Sequence, residues 1–136
     1  MRPTDFAKAV GLGAAILVID VLLAFAVVYA WGIFVAPGHT TAYYEDAAVP
    51  IARWSARTIG TALMFAAAWL SARRRPDRNA YAYAVTLVFF YAFFDGASVA
   101  FAGFFTLGIA LTMLIKLIGA LAGAYVSRAA KSWRRA

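Results

Sequence analysis

The sequence predicts an all-α fold, a four-helix transmembrane bundle with both termini cytoplasmic, and three observations carry the prediction. Of the 136 residues, 65% are hydrophobic and only 14% charged, whereas a soluble domain carries about 45–50% apolar and about 25% charged residues. The apolar residues fall into four long runs, each at least as long as the about 20 residues that span a bilayer. The basic residues gather at the ends of those runs, as topology signals do. With a formal net charge of +7 and no cysteine, the chain lacks the basic stripe with interleaved aromatics that nucleic-acid binding uses, and thiolate chemistry and disulfides are excluded. One domain covers residues 1–136, with little chain left for a soluble catalytic unit.

The first span, about 7–35, is interrupted only by Lys8 and Asp20 and stops at Pro37-Gly38. A signal-peptide reading, with Ala24-Phe25-Ala26 as the cleavage site, fits less well, because the apolar run continues past it and contains an acid. The polar stretch His39 to Asp46 follows as the longest loop. Pro50 is placed to open the second span, about 51–72. Three arginines, Arg73 to Arg75, and Pro76 end it. The third span, about 80–102, turns tightly at Gly103 into the fourth, about 104–126, and a basic tail containing Trp133 closes the chain.

Ten of the thirteen Lys and Arg residues lie on one side of this arrangement: Arg2, Lys8, Arg73, Arg74, Arg75, Arg78, Arg128, Lys131, Arg134 and Arg135. Positive charge is retained on the cytoplasmic side, which predicts an integral protein of a bacterial cytoplasmic (inner) membrane with both ends inside. The opposite loop carries Glu45 and Asp46. These two carboxylates are too few for a specific divalent-cation site, and the lone His39 beside a turn reads as solvent-facing. No metal site is expected. Tyr43 and Tyr44 read as an interfacial aromatic belt.

Four ionisable residues fall inside the spans: Asp20, Arg57, Asp95 and Lys116. A charge at the bilayer centre costs about 2.5–3.5 kcal/mol on insertion scales, so such groups turn inward and find partners. Counting about 1.5 Å per residue, Asp20 and Lys116 match in depth near the midplane, while Arg57 and Asp95 match nearer the loop of Glu45. The sequence therefore predicts two acid–base layers. Lys116 shares a helix face with Thr112, Gly119 and Gly123, and the glycines form a GxxxG packing face. Arg53 lies on the face of Arg57, and Tyr91 and Ser98 lie on that of Asp95.

Arg57-Thr58-Ile59-Gly60 opening the second span, the basic connection after it and Asp95 late in the third resemble the DoxX-like group of small four-helix membrane proteins. The resemblance implies an accessory membrane subunit linked to quinone or redox chemistry, and it assigns no role to Asp20 or Lys116. The residues themselves point to binding or translocation of a small ligand, an ion or a proton by an oligomer. An accessory subunit of a larger membrane complex and a membrane enzyme acting on a lipid or isoprenoid stand as alternatives. No nucleophile with a base and an orienting partner supports the enzyme, and no cofactor is specified.

Overall fold

The computed structural model describes residues 2–75, 78–102 and 107–133. They form four helices: α1 Pro3–Phe34, α2 Thr41–Arg74, α3 Ala80–Ala102 and α4 Leu107–Trp133. Three segments, Pro3–Phe34, Ala80–Ser98 and Leu107–Ala130, are long and apolar enough to cross a membrane, and the chain is an integral membrane protein on that ground. The remaining helix, α2, carries Arg53, Arg57 and a polar first third. It reaches its place by packing beside the other three.

α1 begins before the apolar run, with Pro3 at its first position, where a missing N–H costs nothing. The Asp5 carboxylate accepts the Arg2 backbone N–H at 3.0 Å and so satisfies an open donor at the helix start. Gly38, at φ +81, supplies the left-handed turn between α1 and α2.

α2 corrects the expected long loop. It starts at Thr41, with Thr40 extended before it, and passes through Pro50 instead of starting there. A proline inside a helix removes one backbone hydrogen bond, to the carbonyl four residues earlier, and both Asp46 and Pro50 are exposed residues. Aromatic packing holds the added turns. Trp31 stacks on Tyr43 with ring centroids 5.9 Å apart, and the Tyr44 hydroxyl donates to the Ala36 carbonyl at 2.8 Å. His39 is exposed but lies over Tyr43 at 4.1 Å. α4 likewise runs through the expected basic tail as far as Trp133, with Ser127 buried and the Arg128 guanidinium 5.3 Å from the Tyr81 ring. The expected stop at Pro76, the turn at Gly103 and the end of the tail, Arg134 and Arg135, lie outside the described residues.

Around the bundle the helices follow the order α1, α2, α4, α3, with α1 and α4 on one diagonal and α2 and α3, which approach only slightly, on the other. α2 and α4 make the most extensive contact because α4 presents glycine there. A Cβ on Gly119 would fall 2.6 Å from the Thr61 methyl, and one on Gly123 would overlap the Phe65 carbonyl. The GxxxG face thus lets two backbones close on each other.

The apolar core occupies only one half of the bundle. Ile16, Met64, Ala68, Ala84, Leu87 and Ala120 are all 4% exposed or less, and all lie between the central charged residues and the basic end. In the other half, toward Glu45 and Asp46, the buried helical residues among those described are Ser55 and Thr112. Beyond Asp20, α1 buries no further residue.

Candidate functional site

Each helix contributes one residue to a layer at the centre of the bundle: Asp20 from α1, Gly60 from α2, Tyr91 from α3 and Lys116 from α4. The Lys116 ammonium lies 2.6 Å from Asp20 Oδ2, bridging the α1–α4 diagonal. Tyr91 donates its hydroxyl to the same Oδ2 at 2.7 Å and accepts a hydrogen bond from Lys116. The ammonium also sits 4.1 Å from the centre of the Tyr91 ring, within range of a cation–π attraction. Exposure of Lys116, Tyr91 and Asp20 is 1%, 2% and 4%. Such burial is tolerated because each charge faces an opposite one through a charge-assisted hydrogen bond.

Gly60 is what lets the layer close. A Cβ there would lie 2.6 Å from Lys116 Cε, 2.7 Å from Asp20 Oδ2 and 2.8 Å from Lys116 Nζ. Only a residue without a side chain leaves α2 this near the pair. One atom of the cluster is unsatisfied among the described residues: Asp20 Oδ1 is buried and has no hydrogen-bond partner there. An ionised carboxylate has room for about four hydrogen bonds, so Asp20 keeps acceptor capacity.

One turn nearer the acidic end, the expected second acid–base pair does not form. Arg57 Nε donates instead to Thr112 Oγ1 at 3.3 Å, and the Thr112 hydroxyl in turn donates to the Gly108 carbonyl at 2.8 Å. The close contact of α2 with α4 puts the Thr112 hydroxyl within reach of the Arg57 guanidinium. Asp95 is half-buried and within electrostatic range of Lys116 and Asp20. Among the described residues it makes no hydrogen bond or ion pair. Arg53 is exposed, and Ser98 turns back to the Phe94 carbonyl of its own helix at 2.9 Å, so neither joins the layer.

Sequence reasoning missed two features. Ser55 is fully buried, and its hydroxyl has no partner among the described residues; a lone serine between two arginines gave no signal. Asp5 forms a clamp at the basic end, 3.0 Å from Arg75 Nη1 and 3.3 Å from Arg78 Nη1. Arg78 also donates to the Ser71 carbonyl at 3.1 Å and lies 3.4 Å over the Tyr83 ring. An acid in the first turn of a chain whose inner connection is arginine-rich was the available clue. No family model matches the chain, and no curated protein or solved structure matches it.

Proposed function

We propose that this chain binds a small polar ligand, an ion or a proton at the Asp20–Tyr91–Lys116 layer, reached from the acidic end, and translocates it as an oligomer. In this reading all four helices cross a bacterial cytoplasmic membrane, with the basic end inside. One observation supports it above the others: Asp20 Oδ1 is buried without a partner among the described residues, where the packed apolar half meets the polar half. An atom in that position gains about 1–3 kcal/mol from a donor that satisfies it. Arg57 and Asp95, the next polar groups outward, keep some solvent contact and make a polar route to it.

A second reading, in which the ion pair only fixes helix register in an accessory subunit, draws support from the tight fit of Gly60 against both side chains. The two readings separate in proteoliposomes with an entrapped pH dye under an imposed membrane potential. Asp20→Asn and Asp95→Asn should both assemble at the wild-type oligomeric size and lose proton uptake. Uptake no greater than in protein-free vesicles, or unchanged in both variants, leaves the pair as a register device.

A further inference from the structure

The polar half of the bundle holds more unpaired hydrogen-bonding groups than a register device uses, and they are of both signs. On the α2 side, Arg57 spends Nε on Thr112, and its terminal amino groups have no hydrogen bond or ion pair among the described residues. On the α3 side, both carboxylate oxygens of Asp95 are free in the same sense. In the adjoining central layer, Asp20 Oδ1 is buried and has no partner among the described residues. Ser55 Oγ, in the polar half, is likewise buried and unpartnered.

Arg57 and Asp95 stand on diagonal helices. Among the described residues no ion pair joins them, so each keeps its charge-bearing atoms for another partner. The formal charges of Arg57, Lys116, Asp20 and Asp95 sum to zero, so a ligand of net charge disturbs a balanced interior. A lone anion matches Arg57 but meets the free acceptors of Asp95 and Asp20. A lone cation matches those acceptors but leaves the Arg57 fork unfilled, and a planar guanidinium fork fits a carboxylate in two-point contact.

We infer that the polar half of the bundle receives a small zwitterion of the amino-acid class, its carboxylate on Arg57 and its ammonium on Asp95 and the free oxygen of Asp20. The inference rests on the binding reading proposed above and adds the ligand class. Lys116 is not part of the recognition, being committed to Asp20 and Tyr91. Its role is to fix the carboxylate so that one oxygen faces the bound ammonium.

The test uses the full chain in lipid nanodiscs and four probes: glycine, β-alanine, 4-aminobutanoate and 6-aminohexanoate. Butylamine and butanoate serve as single-charge comparisons. At least one zwitterion should raise the midpoint of thermal unfolding, with either single-charge compound at least tenfold weaker. Arg57→Gln and Asp95→Asn should each weaken the effect tenfold or more, while Ser98→Ala, whose hydroxyl stays on its own helix, leaves it unchanged. Asp95→Asn removes no contact among the described residues, so its unliganded midpoint should match the wild type and separate lost binding from lost folding. No shift with any of the four zwitterions, or an equal shift from one single-charge compound, overturns the inference. Proton uptake dependent on Asp20, measured on the same preparations, then shows whether the underlying site stands without this ligand.

Discussion

Removing Lys116 and Asp20 separately and together gives a prediction whose sign and size follow from the geometry. In Lys116→Met the Asp20 carboxylate stays buried at 4% exposure, with the Tyr91 hydroxyl as its only remaining donor among the described residues. Removing one partner of a buried pair typically costs about 3–5 kcal/mol, because the other charge is left uncompensated. Asp20→Asn strands the Lys116 ammonium in the same way. The double variant strands neither: methionine fills the lysine channel, and the amide oxygen of the introduced asparagine still accepts from Tyr91. Its loss should therefore be smaller than that of either single variant, a coupling of about 3 kcal/mol or more against the about 0.3–0.5 kcal/mol within which independent sites add. Reversible unfolding in mixed micelles, followed by circular dichroism over a denaturing-detergent titration, measures all four corners of the cycle. Additive losses would refute the claim that the two charges hold each other in the bundle.

Glycine substitutions should rank by what the new methyl group meets. Gly11→Ala meets nothing within 4 Å and should be neutral or stabilising by up to about 1 kcal/mol through helix propensity. Gly60→Ala presses on the movable ends of Lys116 and Asp20 and should cost about 1–3 kcal/mol, the usual range for overpacking. Gly123→Ala meets the Phe65 backbone, which cannot turn aside, so it should be the worst of the three and should part α2 from α4, read by chemical crosslinking between them. At the basic end, Arg78→Lys keeps a charge near Asp5 but loses the fork that reaches both Asp5 and the Ser71 carbonyl; amide exchange in the first turns of α1 and α3 should rise without a change in the central layer.

The bundle was legible because lipid imposes a coarse code: apolar runs of spanning length, basic ends and small-residue packing faces. The Asp20 and Lys116 pair was legible for a related reason, since depth follows from residue count and long side chains cross a diagonal. Arg57 and Asp95 show where depth alone fails. They match in level, but level says nothing about which helices are neighbours, and neighbourhood decided that Arg57 turns to Thr112. The start of α2 was hidden differently. Pro50 carries a strong local signal for a helix start, and the contacts that overrode it, Tyr43 on Trp31 and Tyr44 on the Ala36 carbonyl, join two elements whose approach no local pattern encodes.

The division of the interior into a polar half and an apolar half leads to the last prediction. Directly below the charged layer, Met64, Leu87 and Ala120 are fully buried and apolar. On the proposed reading, these apolar residues are the barrier between the charged layer and the basic end. The absence of cysteine makes the division directly measurable, because single cysteines enter an otherwise unreactive chain. Thr112→Cys lies in the polar half, beside the half-buried Arg57, and should react with a small, charged, membrane-impermeant thiol reagent supplied from the side of Glu45 and Asp46. Ala84→Cys and Ala120→Cys, both 0% exposed, should resist that reagent from either side. Reaction at Ala84 or Ala120 at the rate seen for Thr112 would mean that water passes the charged layer, and the packed half could not be the barrier.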